Sequence, residues 1–194
     1  MRMNKRNIAL LDLGGVVFQS TGVSNGRIDW EIISSLNNKY GYELNIGKDV
    51  FPVFLAEYNA LTQQLLTGET FLREVFDTLA INTELVDMIR AERDIVIVSD
   101  NYRENIAYIS QRYDFASWSI QQIYSFDYGM EKAHPSFFAR LLSDLSDYGT
   151  AEMLYIDDSE HKLDSAAQHA IEGIFYQNNH QVERALREYQ AKKD

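Results

Sequence analysis

The sequence contains no cysteine. That excludes disulfides, thiolate nucleophiles and Cys-based zinc sites together, and it fits a reducing compartment. Cations are scarce too: 18 Lys and Arg stand against 29 Asp and Glu, a formal net charge of −11. Nucleic acid requires clustered Lys and Arg to neutralise its phosphates, and no stretch supplies such a cluster. A small phosphorylated ligand remains compatible, because a few local cations and a bound metal can outweigh the global sign. The chain lacks any run near the roughly 20 apolar residues that span a bilayer. The start, MRMNKRNIALLDLGGVVF, pairs a basic patch with an apolar run as a signal peptide does. Asp12 interrupts that run and no small-residue cleavage site follows, so a soluble, cytoplasmic protein is expected. There is also no internal repeat, low-complexity tract or flexible linker.

What is present is an ordinary globular composition, 45% hydrophobic over 194 residues, enough for one core with a small module attached. Continuous apolar runs at Ile8–Leu13, Asp94–Ser99, Gln122–Ser125, Met153–Asp157 and Gly173–Tyr176 read as strands covered on both faces. Helical patterns alternate with them at Asn101–Arg112, Pro135–Tyr148, Ser159–Ile171 and Asn179–Lys192. Strands alternating with helices predict an α/β fold with a parallel sheet and right-handed crossovers. Between Asp29 and Ala91 the alternation stops, and successive helices are expected over Trp30–Tyr40, Pro52–Leu66, Thr70–Leu79 and Asn82–Ala91. The first should stop at Gly41 and the second at Gly68. The expected organisation is therefore a core of residues 1–20 and 92–194, with a helical cap of residues 21–91.

Parallel α/β sheets bind ligands beyond the carboxyl ends of their strands. The first strand delivers Asp12, then Gly14 and Gly15; the second delivers Ser99, with Asp100 and Asn101 opening a helix. Lys132 follows the third, and the fourth ends in Asp157 and Asp158. Folded, these segments should bring three carboxylates, a hydroxyl and an ammonium to one rim. Such carboxylates suit Mg²⁺, and a carboxylate whose charge is offset by a metal and a lysine can attack phosphorus. The Ser99 hydroxyl and the amides of the following helix would hold phosphate oxygens.

Asp-Leu-Gly-Gly-Val from Asp12, Ser-Asp-Asn from Ser99, Gly-Met-Glu-Lys ending at Lys132 and Tyr-Ile-Asp-Asp ending at Asp158 occur in this order. In that order they resemble the four motifs of the haloacid dehalogenase (HAD) superfamily. The resemblance covers the whole chain and is strongest to the branch of small sugar-phosphate phosphatases and the epoxide hydrolase N-terminal domain. It implies a Rossmann-like three-layer sandwich with an all-helical cap inserted after the first strand. The activity it implies is Mg²⁺-dependent hydrolysis of a small phosphorylated metabolite, with neither nucleic acid nor membrane as partner and no particular oligomeric state. Carried over, Asp12 is the nucleophile and Ser99 the phosphate-binding hydroxyl, with Asp100 and Asn101 beside it. Lys132 is the charge-stabilising lysine. Asp12, the Gly14 carbonyl, Asp157 and Asp158 are the metal ligands.

Two departures stand out. Most phosphatases of the family carry a second Asp two positions after the nucleophile as general acid and base, where this chain has Gly14. Among substitutes, His134 is the candidate to reach the leaving group, with Glu131 and His161 nearby. The family lysine is usually followed directly by proline; here Ala133 and His134 intervene. The competing readings are a fold-retaining protein that binds a phospho-ligand or partner without turnover, and a metal-free 2-haloacid dehalogenase. Specificity is expected from Gln19–Asn25 and the Tyr58–Gln64 helix.

Overall fold

A computed structural model describes residues 7–23, 26–149 and 151–191. In chain order the strands are β1 (Ile8–Leu11), β2 (Phe18–Ser20), β3 (Leu79–Ile81), β4 (Asp94–Ser99), β5 (Gln121–Tyr124), β6 (Met153–Asp157) and β7 (Glu172–Phe175). The helices are α1 (Trp30–Asn45), α2 (Phe51–Thr62), α3 (Gly68–Phe76), α4 (Thr83–Glu92), α5 (Arg103–Arg112), α6 (Ser125–Tyr128), α7 (Phe137–Asp144), α8 (Glu160–Ala167) and α9 (Asn179–Ala191). Lys192, the expected last residue of α9, lies outside the described residues.

Five strands form a parallel sheet in the order β5-β4-β1-β6-β7. Because successive side chains in a strand point to opposite faces, each strand feeds two cores. Ala9, Leu11, Ile95, Ile97, Leu154 and Ile156 face one side, packed with apolar residues of α4, α5 and α9. Ile8, Leu10, Val96, Val98 and Tyr155 face the other, packed with Phe137, Phe138 and Leu141 of α7 and Ala166 of α8. That is the three-layer sandwich expected, and it explains why these strands read as continuous apolar runs. The order of connection reverses at β1: the chain moves outward through β4 and β5, then returns to place β6 on the opposite side. A crevice at such a reversal is where open α/β sheets bind ligands.

The insert departs from expectation in three places. Helix α1 does not stop at Gly41; it runs four residues further, to Asn45. Gly41 is accommodated mid-helix, and the turn comes at Gly47, whose positive φ of 82° suits a residue without a side chain. A Cβ there would come within 3.1 Å of Arg103 and Phe126, so the glycine also permits close approach to the sheet layer. Helix α2 ends at Thr62 on a left-handed Gln63, earlier than the expected Leu66, and Gly68 begins α3 instead of ending α2. Finally, the segment after α3 is not helical to Leu79: Leu79–Ile81 pairs antiparallel with Phe18–Ser20. This small ladder ties both ends of the insert together. Helix α4, expected within the insert, buries Leu85, Val86 and Ile89 in the sheet's own core and packs on β4 and α9.

Candidate active site

The sheet's register brings the site together. Leu11 is paired with Ile156, so the next residues, Asp12 and Asp157, stand abreast at the ends of neighbouring strands. The Asp12 amide donates to the Ile156 carbonyl at 3.1 Å, which holds the chain in sheet geometry one residue past β1. Lys132 arrives from the loop after α6 and is fully buried between the two carboxylates. Its Nζ lies 2.7 Å from Asp12 Oδ1 and 2.6 Å from Asp157 Oδ2, and it donates to the Val98 carbonyl at 3.2 Å. Ala133 and His134 do not displace it: the Lys132 amide is anchored by Asp100 Oδ1 at 2.8 Å.

Asp100 therefore serves the lysine loop. Its other oxygen pairs with Lys162 of α8 at 3.3 Å, so the whole carboxylate is engaged by protein groups. Asn101 is similarly committed, its Oδ1 accepting from the Tyr102 amide and the Asn105 side chain, both at 2.9 Å. The Asn101 amide donates to Ser125 Oγ. Helix α5 begins only at Arg103, two residues later than the pattern predicts. Ser99 is 1% exposed, and its hydroxyl makes only a long contact, 3.4 Å, to the Asp100 carbonyl.

Asp12 and Asp157 share one ammonium but are not equivalent. Burial pushes both carboxyls up. Asp157 nevertheless sits below its ordinary value, because Lys132 and Lys162 attract its charge and Lys132 and Tyr155 donate hydrogen bonds to it. Its Oδ1 also accepts the Ser159 amide at 2.8 Å. Asp12 has fewer partners: burial dominates, the neighbouring Asp157 charge adds to it, and the carboxyl is raised despite Lys132. Lys132 itself is held well above the usual lysine range, the carboxylates of Asp12, Asp157 and Asp100 outweighing its burial. Asp158 is exposed at the rim, with its carboxyl raised by partial burial and by Asp157.

Oxygens of Asp12, Asp157 and Asp158 all lie within 4.8 Å of one another. Three hard carboxylate donors at that separation fit a divalent cation of the Mg²⁺ type, which keeps waters in its remaining positions. The turn after Asp12 completes the enclosure. Gly15 has φ of 73°, and a Cβ on it would stand 2.0 Å from Asp158 Oδ2. Gly14, by contrast, has open space around its Cβ direction, with nothing within 4 Å.

Two side chains that matter here are not among the site residues expected from the sequence. Tyr155 is buried beneath the site, its hydroxyl donating to Asp157 Oδ2 and its ring centroid 5.6 Å from Lys132 Nζ. The available signal was its position two before Asp157, on the same strand face. Lys162, in the first turns of α8, carries no comparable signal. His134 is exposed, with Nδ1 accepting the Ser136 amide of its own turn. Glu131 and His161 line a cavity of about 490 Å³ with Asp100 and Lys162, and Glu131 accepts a hydrogen bond from Asn45 of α1 at 2.8 Å.

A second cavity, of about 310 Å³, adjoins Gly14 and Gly15 beneath α1, α2 and α3. Ser20 lines it, but Gln19 is turned away to the Tyr176 hydroxyl, and Ser24 and Asn25 lie outside the described residues. From α2 the lining residue is Phe54; none of Tyr58–Gln64 contributes, and Tyr58 is buried with its hydroxyl accepting the Asp29 amide.

No protein-family model and no curated protein matches the chain. Solved structures do match. A HAD-family enzyme from Bacteroides thetaiotaomicron superposes with a TM-score of 0.68 at 15% identity, over 89% of this chain and 93% of that one. The same enzyme has been solved in complex with magnesium and inorganic phosphate, with a TM-score of 0.64. A HAD-like hydrolase from Porphyromonas gingivalis gives 0.61 at 16% identity, covering 88% of this chain and 90% of its own. A 2-haloacid dehalogenase from Pseudomonas syringae gives 0.55 at 13% identity, with coverages of 88% and 86%. The chain thus has the fold of the HAD-superfamily hydrolases, with an acidic cluster able to hold a metal at its sheet edge. Among the described residues, no helix is long and apolar enough to cross a membrane.

Proposed function

We propose that the protein is a Mg²⁺-dependent phosphatase that hydrolyses a small phosphate monoester through an aspartyl-phosphate on Asp12. The observation that carries this reading is the buried Lys132 ammonium bridging Asp12 and Asp157, with Asp158 completing a three-carboxylate cluster. Asp12, Asp157, Asp158 and the Gly14 carbonyl would hold Mg²⁺, whose charge offsets that of the phosphate. Lys132 holds Asp12 Oδ1 and keeps positive charge where the phosphoryl group and the carboxylate must meet. Ser99 would bind a phosphate oxygen, its hydroxyl having no strong partner among the described residues. Asp100 acts as a positioning residue by fixing the Lys132 backbone, and Tyr155 by holding Asp157 ionised and oriented. Residues 21–81, carrying α1–α3, form the cap over this edge, and the reading implies neither a nucleic-acid nor a membrane partner.

The second reading, a phospho-ligand binder without useful turnover, is favoured by Gly14, which leaves no acid or base two residues after Asp12. One experiment separates the readings: hydrolysis of p-nitrophenyl phosphate and a panel of phosphorylated metabolites, with and without Mg²⁺, by the native protein and Asp12→Asn. Mg²⁺-dependent phosphate release lost in the variant upholds the phosphatase. Silence with tight beryllofluoride binding establishes the binder, and halide release from a 2-haloacid without metal establishes dehalogenation.

A further inference from the structure

The cavity of about 310 Å³ beside Gly14 has an unusual chemistry for a site that would receive the alcohol side of a phosphate ester. At one end it is bounded by Gly14, Gly15 and Asn101, from the loops that follow Asp12 and Ser99. It therefore adjoins the turns that carry the phosphoryl site. The remaining wall is mainly Phe18, Trp30, Ile33, Phe54, Phe71 and Phe76, and no charged side chain among the described residues lines it. Its amide side chains are partly used: Asn101 Oδ1 by Tyr102 and Asn105, and Asn37 Oδ1 by the Tyr102 hydroxyl. A polyhydroxylated group entering here would give up hydration for few partners, whereas an apolar group gains by leaving water.

The open space at Gly14 supplies an independent constraint. With no proton donor at that position, a leaving group that departs readily as an anion is favoured. A phenol, with a pKa near ~10 as in tyrosine, does so far more easily than an alcohol, whose pKa lies close to that of water at ~15.7. The wall and the missing donor converge on one chemistry.

We propose that this cavity is the leaving-group pocket for an aryl phosphate monoester with one or two fused rings. At about 30 Å³ per water-sized group it holds roughly ten such groups, the size of a naphthyl ring system. The inference rests on the phosphatase reading. An Asp12 carboxylate oxygen bonds to phosphorus as the phosphorus–aryl oxygen bond breaks, and the electron pair leaves on the aryloxide, which takes a proton from solvent. Water then attacks phosphorus, the bond to Asp12 breaks with its electron pair returning to the carboxylate, and the released proton passes to solvent with inorganic phosphate.

The test compares kcat/KM of the full-length protein in MgCl2 for 2-naphthyl phosphate, phenyl phosphate, glycerol 3-phosphate and glucose 6-phosphate. Each methylene-sized group buried is worth roughly a fourfold gain, so 2-naphthyl phosphate should exceed glucose 6-phosphate by 100-fold or more. Trp30→Ser, at a residue 45% exposed and so removable without loss of the core, should raise KM for 2-naphthyl phosphate about tenfold and that for glycerol 3-phosphate by less than about threefold. Val75→Asp, which puts a charge into the pocket, should act more strongly in the same direction. Equal or better hydrolysis of glucose 6-phosphate would overturn the pocket assignment while leaving the phosphatase reading intact. If no ester is hydrolysed, the phosphatase reading fails, and calorimetry on Asp12→Asn decides the pocket separately. Binding of 2-naphthyl phosphate tenfold tighter than inorganic phosphate would sustain it, and equal binding would overturn it.

Discussion

Replacing Gly14 by aspartate should convert a protein selective for good leaving groups into one that tolerates poor ones. The backbone allows it. Gly14 is not among the glycines at positive φ, and a Cβ on it meets nothing within 4 Å, so an L side chain fits without strain. A positioned general acid and base is worth ~10²–10⁴ in rate, or about 2.7–5.4 kcal/mol of barrier at 1.36 kcal/mol per tenfold. The assay is a plot of log kcat/KM against leaving-group pKa for aryl and alkyl phosphates in MgCl2. The native protein should show a steep negative slope, and Gly14→Asp a shallow one. The gain should be at least 100-fold for alkyl esters and under tenfold for p-nitrophenyl phosphate. Parallel lines from a variant that melts like the native protein and still binds phosphate would refute the reasoning.

Gly15→Ala should behave in the opposite way to its neighbour. A left-handed φ costs an L-residue roughly 1–2 kcal/mol, and the added carbon displaces the Asp158 carboxylate from 2.0 Å away. Calorimetry should show weakened Mg²⁺ binding, which unchanged affinity would contradict. Lys132→Met leaves Asp12 and Asp157 without their shared ammonium; breaking a buried pair this way costs ~3–5 kcal/mol. At ~2–4 °C per kcal/mol for a domain of this size, the melting temperature should fall by roughly 6–20 °C. Asp12→Asn should instead stabilise the metal-free protein at pH 7. Its carboxyl is raised above the ordinary 3.8, so folding favours the neutral form. The stability from that preference is fully present below the unfolded pKa and is lost as pH rises through the folded one. The variant escapes this loss, so its advantage in EDTA should shrink as pH falls toward 3.8 and be largest above the folded value. A native protein more stable than the variant at pH 7 would contradict this.

Much of this architecture is legible in the chain itself. Strands β4 and β6 span the predicted residues, because a strand buried on both faces must be apolar throughout and its polar end is then conspicuous. For the same reason Asp12, Ser99 and Asp157 are recognisable in the sequence as strand ends. Local signals misled where tertiary packing overrode them. Gly41 resembles a helix stop, yet α1 runs past it to Asn45 and the left-handed turn falls at Gly47. Phe18–Ser20 and Leu79–Ile81 are each three residues long, and neither signals its partner across the insert.

The placing of Asp12, Asp157 and Asp158 at one sheet edge was thus legible in the sequence, since polar residues at the ends of buried strands have few other placements; Lys132, in the loop after α6, was legible only through its motif. What only the tertiary structure decided is how they are shared out. Asp100 holds the lysine loop, Lys132, Lys162 and Tyr155 hold Asp157 ionised against its own burial, and burial leaves the Asp12 carboxyl raised. The apolar cavity at Gly14 belongs to the same class. Its wall comes from β2, three helices of the insert and α5 of the sheet layer, and which of their faces meet is set by packing across the chain, not by any local pattern.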